Sequence, residues 1–220
     1  MTAKELISEN IPSLKPGDHV DAALHIMTEN HVKHLPVVAG ERYLGLVGEN
    51  VLLDAGDETL TLDQFTEHFT FPCIFENSHF LQAAQLIKEQ HISVVPVLNE
   101  EKEFSGVISA ADLLNRLTGF VGSGEPGGLI VIETEKRNFS FSELSRLVET
   151  NDAFITQLNT LEQPEQGLIT VTLKINKTDV ADVVATLQRF DYNVVYFQGE
   201  EAYENELRSN YNNLMNYLNI

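Results

Sequence analysis

His31-Val32-Lys33-His34-Leu35-Pro36-Val37-Val38, followed by Gly45-Leu46-Val47, is a stretch that this chain writes twice. The second copy reads His91-Ile92-Ser93-Val94-Val95-Pro96-Val97-Leu98, followed by Gly106-Val107-Ile108. His31 and His91, Pro36 and Pro96, and Val37 and Val97 each stand 60 positions apart. Gly45 and Gly106 stand 61 apart, so the second copy carries one extra residue in its hairpin. Upstream, Ala23, Ile26 and Met27 answer Ala83, Leu86 and Ile87. A repeat of this length implies two copies of one supersecondary unit, related by a pseudo-twofold axis. A cleft between two such units is a natural place for a ligand.

Each copy reads in the same order. An extended lead-in (Ile11 to Leu14; Phe71 to Phe75) precedes an amphipathic helix over 19–30 or 79–90. Two short β-runs follow, over 35–39 and 43–48, then 94–98 and 103–108. A helix closes each copy, over 49–55 and 110–117, and residues 56–70 connect the copies. His31 and His91 occupy the helix exit, where a left-handed backbone is common and histidine is tolerated. The first motif is therefore set at about 7–56 and the second at about 70–118, within a pair spanning 1–118.

The run Gly119-Phe120-Val121-Gly122-Ser123-Gly124-Glu125-Pro126-Gly127-Gly128 marks the clearest boundary. It contains Gly122-x-Gly124-x-x-Gly127, but a dinucleotide loop needs a strand before it and a helix after it. Here a helix precedes and a strand follows, so 119–128 reads as a linker. Residues 129–200 then read βαββαβ, the ferredoxin-like order. Its strands are expected at Leu129 to Ile132, Phe154 to Leu161, Leu168 to Ile175 and Val194 to Phe197. Its helices run from a cap at Ser140 or Ser142 to Thr150, and from Asp179 to Phe190. Within 201–220 a last helix, about 203–218, carries the stripe Leu207, Tyr211, Leu214 and Leu218. The fold class is α+β.

Bulk properties exclude several functions. The 220 residues hold 33 acids against 14 bases, a formal charge of −19. A polyphosphate backbone and an anionic membrane are both repelled. No apolar run approaches the roughly 20 residues that cross a bilayer, and the first residues lack a signal-peptide core. Cys73 is the single cysteine, which suits a reducing cytoplasm and reads as core filler. His31 and His34 straddle a helix end and the next strand, so they are not expected to chelate, and no metal is predicted. No triad, phosphate loop or isolated carboxylate pair points to catalysis.

The repeated block, a helix, then h-Pro-Val-h, then Gly-h-h, resembles the CBS-domain pair, or Bateman module. The second copy ends Gly106-Val107-Ile108-Ser109-Ala110-Ala111-Asp112, the Gly-h-h-Ser/Thr-x-x-Asp signature of that family in full. Residues 129–200 resemble an ACT domain, and the whole layout resembles the acetoin-utilisation B-type CBS–ACT proteins. The resemblance implies a regulatory or sensor protein, not an enzyme, that binds an adenosine-containing ligand (AMP, ADP, ATP or S-adenosylmethionine). It also implies a cytoplasmic homodimer that acts on a regulated protein still to be identified.

Ser109 at a helix start favours phosphate, and an ionised Asp112 accepts from both hydroxyls of a ribose. The same two residues read equally as a capping box that needs no ligand. The resemblance places Ser109 and Asp112 opposite Ile11, Pro12, Val32, Lys33 and His34. Ile11 and Val32 then flank an adenine, and Lys33 and His34 meet phosphate, unless that pair is a solvated strand edge. In the first copy Gly48 and Val51 replace the serine and aspartate, so one competent site per chain is expected. The turn Thr134 to Phe139 lacks the glycine of amino-acid-binding ACT domains, which favours a dimerisation role there. A ligand-free scaffold, and an enzyme with its site in the ACT-like half, are the competing readings.

Overall fold

Val20, Ala23 and Met27 recur on one side of α1 (Val20–Glu29) and are buried together. A computed structural model describes residues 1–199 of the chain, which divides into two compact units after Phe120. The helix expected over 203–218 lies outside the described residues.

In the first unit α1 is followed by β1 (His34–Ala39), β2 (Arg42–Gly48) and α2 (Glu49–Leu53). The second copy gives β3 (Ile74–Phe75), α3 (Leu81–Gln90), β4 (Val94–Leu98), β5 (Phe104–Ser109) and α4 (Ala110–Phe120). The repeat extends to backbone detail. Leu14 bridges Val37 in parallel, and Ile74 pairs with Val97 in parallel, each partner again 60 positions on. Both hairpins carry a register shift, after Val37 and after Val97. His31 and His91 both take positive φ, 53° and 55°, where each helix turns into its strand. One core of buried residues joins the two copies, including Leu35, Val47, Phe80, Val94 and Val107.

The lead-ins are shorter than the sequence suggests. Of Ile11 to Leu14 only Leu14 pairs, and of Phe71 to Phe75 only the last two residues form a strand. Pro12 and Pro72 have no N–H to give a ladder. The closing helices also differ from expectation. Ser109 precedes an eleven-residue α4, whereas Gly48 offers no side-chain cap and α2 has five residues.

The residues just before the lead-ins cross over, which the repeat alone does not reveal. The Ser8 N–H donates to the Val107 carbonyl at 2.7 Å, so the approach to the first lead-in lies on the second motif. Thr70 exchanges two backbone hydrogen bonds with Leu46, at 2.7 and 3.0 Å, so the approach to the second lead-in lies on the first motif. Each is preceded by a 3-10 helix, Ala3–Leu6 or Leu62–His68, that buries apolar side chains in the shared core. The connector 56–70 is thus part of the fold, because Leu62 and Phe65 are too apolar to leave in water.

The second unit contains β6 (Gly128–Glu135), α5 (Phe141–Glu149), β7 (Ile155–Gln163), β8 (Leu168–Ile175), α6 (Ala181–Arg189) and β9 (Asn193–Gln198). The strands form one antiparallel sheet in the order β7-β8-β6-β9. That is the βαββαβ order read from the sequence. Ser140, not Ser142, caps α5, accepting from the Glu143 N–H at 3.3 Å. Leu144, Leu147 and Val148 of α5 and Val183, Val184 and Leu187 of α6 bury against Ile130, Ile132, Val171 and Leu173. The segment between α4 and β6 is only Val121 to Gly127, because α4 continues through Gly119 and Phe120.

Candidate functional site

Ser109 ends β5 and is 5% exposed. Its Oγ accepts from the Asp112 N–H at 3.0 Å and donates to Asp112 Oδ2 at 2.6 Å. The first bond is the serine half of the capping box that Ser-x-x-Asp predicts; the reciprocal bond from the Ser109 N–H to the carboxylate is not made. A third residue joins it. The Ser8 hydroxyl also donates to Asp112 Oδ2, and accepts from the Ser109 N–H at 3.3 Å. Asp112 therefore sits in the first turn of α4, its carboxylate held from Ser8 and from the end of β5.

Asp112 lines a cavity of about 700 Å³, whose wall also includes Leu6, Ile7, Ser8, Glu9 and Arg116. That volume lies within the range of small-molecule sites. Glu5 lines it too, so three carboxylates face one guanidinium. Glu5 is held below the usual carboxylate range, first by the Thr2 backbone N–H and side chain and in small part by Arg116.

The structure does not bring the remaining expected residues to this wall. Ile11 is half-buried against the core, Pro12 is exposed and Val32 is buried in the core. Residues 6–10 line the Asp112 cavity where 11 and 12 were expected, because the chain leaves β5 and returns to its own motif by Leu14. Lys33 and His34 line a second cavity of about 400 Å³, together with Gly48, Val51, His68 and His91. Their segment stays with its own motif, since the Lys33 carbonyl accepts from the Glu49 N–H at 2.8 Å. The basic pair thus stands beside the degenerate signature, not beside Asp112.

Sequence reasoning missed Ser8 and Arg116 in the first cavity, and His68, Thr70 and His91 in the second. One signal was present. Ser8 and Thr70 are both hydroxyl residues, 62 positions apart, at matching places in the exchanged approaches to the lead-ins.

Lys33 and His34 also tie the two motifs together. The Lys33 N–H donates to Ser93 Oγ at 2.8 Å, and the Ser93 N–H donates to His34 Nδ1 at 3.2 Å. A backbone N–H only donates, so Nδ1 is an acceptor and the neutral ring carries its proton on Nε2. Burial pushes the His34 pKa down, Glu49 opposes this and Lys33 reinforces it. The unfolded chain then binds more protons than the folded one just below the ordinary imidazole value of about 6.5. Folding stability should be full above that value and fall as pH drops through the window beneath it. Urea unfolding from pH 5 to 8 should show this slope in wild type and a shallower one in His34→Gln. Equal slopes would remove His34 from the account.

Burial raises the pKa of the half-buried Cys73 thiol, which fits filler better than a nucleophile. Among the described residues no group of three or more His, Cys, Asp or Glu could hold a metal ion. No described helix is long and apolar enough to cross a membrane.

Two interlocked copies of one motif, with a hydroxyl–carboxylate signature at the head of α4, define a tandem two-motif module. The CBS domain family matches residues 3–58 and 69–119, and this part of the chain belongs to it as a CBS domain pair. An A-adding tRNA nucleotidyltransferase of Geobacter sulfurreducens is 30% identical over 129 residues, 57% of this chain and 14% of that protein. An uncharacterized protein of Methanocaldococcus jannaschii is 27% identical over 118 residues, 51% of this chain and 27% of that protein. The chain thus spans about a quarter or less of the length of these two relatives. Among solved structures, a CBS domain pair/ACT domain protein from Thermotoga maritima is 22% identical. It covers 55% of this chain and 99% of its own, with a TM-score of 0.49.

Proposed function

We propose that this protein is a regulatory sensor, not an enzyme, that binds an adenosine-containing ligand in the Asp112 cavity. One observation carries the reading: a carboxylate, positioned by Ser8 and Ser109 at a helix start, lines a cavity of ligand size. A carboxylate has about four lone-pair sites, so it retains acceptor capacity for ribose hydroxyls after taking two serine donors. The cavity's charge refines the ligand. Three carboxylates against Arg116 oppose a polyphosphate. S-adenosylmethionine, adenosine or AMP suits this wall better than ADP or ATP, and Arg116 supplies the cation that Lys33 and His34 were expected to supply.

A thermal-shift series on the full chain tests this. A ligand at 100 times its dissociation constant should add about 2.7 kcal/mol. S-adenosylmethionine, adenosine or AMP should shift the transition more than ATP does. A flat response to all four would favour the second reading, a ligand-free scaffold. That reading has its own observation, since Ser8, Ser109 and Asp112 already hydrogen-bond one another and cap α4 without a ligand.

Signalling is assigned to a cytoplasmic homodimer. Leu53 on α2 and Leu114 on α4 stand 61 positions apart and are 58% and 62% exposed, a repeated pair of apolar knobs. Isologous pairing of these faces would bury them. Residues 129–200 are assigned an ACT-like dimerisation role on the βαββαβ order. Light scattering at micromolar concentration should give twice the 24.6 kDa of one chain. Leu53→Glu with Leu114→Glu should lower that mass towards one chain. A wild-type mass of 24.6 kDa would end the proposal.

A further inference from the structure

The glycine run of 122–128 has a use in the second unit that no dinucleotide reading supplies. Lys174 on β8 is 9% exposed, and its Nζ donates to the carbonyl oxygens of Gly122 and Glu125, the latter at 2.7 Å. Gly127 lets the loop lie this close to the sheet. Its φ is +147°, and a Cβ there would stand 2.2 Å from the Ile175 carbonyl oxygen.

The lysine is left incompletely matched. An ammonium has three N–H donors, and two are placed on carbonyls. Among the described residues no carboxylate forms an ion pair with it. A buried charge without a counter-ion is costly, and carbonyl oxygens offset only part of that cost. Lys174 also lines a cavity of about 730 Å³, with Gln157, Asn159, Thr172 and Gln198 on its walls. These amides and this hydroxyl offer hydrogen bonds of either sense without charge. Glu125 lines the cavity as well, and its negative charge opposes a guest with more than one anionic group.

We propose that this cavity is a ligand site for a small metabolite with one anionic group, a carboxylate or a phosphate, bound by the third N–H of Lys174. The amides of Gln157 and Asn159 hold the uncharged body. The site is independent of the Asp112 cavity.

Side-chain amide NMR on the full chain tests this, with sodium acetate and sodium phosphate as probes and sodium chloride at equal ionic strength as reference. Gln157 and Asn159 resonances should shift saturably with acetate, phosphate or both, and not with chloride. The responding probe tells carboxylate from phosphate. Lys174→Met should weaken the response at least tenfold, while Asp112→Ala leaves it unchanged. Glu125→Gln removes the repulsion and should tighten the response twofold or more, which decides the matter if Lys174→Met does not fold. No saturable shift with either probe, an undiminished response in Lys174→Met, or an equal or weaker response in Glu125→Gln overturns the proposal.

Discussion

Asp112→Ala should weaken an adenosine-containing ligand on the order of a hundredfold, with adenosine and AMP affected alike. Each charge-assisted bond to a carboxylate is worth about 1.5–3 kcal/mol, and water in the cavity recovers part of what is lost. Adenosine and AMP should fall together because the carboxylate meets the ribose they share. The structure changes the expected effect on folding. An acid in an exposed first turn contributes about 0.3–1 kcal/mol. Asp112 also takes the hydroxyls of Ser8 and Ser109, and Ser109 is buried, so a stability loss of about 1–3 kcal/mol is expected. Asp112→Asn separates the two roles, since its amide oxygen still accepts from the serines but carries no charge. It should keep most of the stability and lose most of the affinity. Val51→Ala, at the matching position of the first copy, should leave affinity nearly intact. Calorimetry on wild type and these variants decides. Wild-type affinity in Asp112→Ala would reduce the signature to a helix cap.

Gly106→Ala should destabilise the first unit by about 2–4 kcal/mol, for two reasons that add. Gly106 has φ +149°, a conformation that costs an L side chain, and a Cβ there would lie 2.4 Å from Ile7 Cγ2. The methyl would push the approach to the first lead-in off β5. Ser8 follows Ile7 directly, so the variant should also loosen the Ser8–Asp112 contact and lower ligand affinity. Ile7→Ala in the Gly106→Ala background should recover part of the stability by clearing the clash, though not the cost of the backbone. Gly45→Ala is the twin experiment, with φ +142° and Phe69 Cβ at 2.7 Å from the added atom. Urea unfolding measures all three variants. Wild-type stability in Gly106→Ala would mean that this approach does not dock as described.

How much of this was legible in the sequence depends on the range of the interaction involved. The repeat at 60 positions, the two αL histidines, the Ser140 cap and the Ser109–Asp112 cap are all local. Their causes are side-chain period, backbone sterics and hydrogen bonds spanning three residues, and these operate wherever the segment ends up. The βαββαβ order is of the same kind, because alternation and helical spacing within 129–198 mark each element. Tertiary structure alone decided who meets whom. Ser8 reaches Asp112 across 104 positions because the chain bonds to β5 at Ser8 before it returns to its own hairpin at Leu14. No residue type near Ser8 announces that pairing, since a backbone hydrogen bond carries no sequence label. The same exchange brought Glu5 and Glu9 to the cavity of Asp112 and Arg116, which already share one face of α4 at four-residue spacing, and Lys33 and His34 stayed with the degenerate copy. Lys174 reads in the sequence as one polar residue in a half-buried strand, and it became a buried cation only when the glycine loop folded over it. Composition and spacing determined the elements and their repeat. The pairing of distant backbones determined which charges share a cavity.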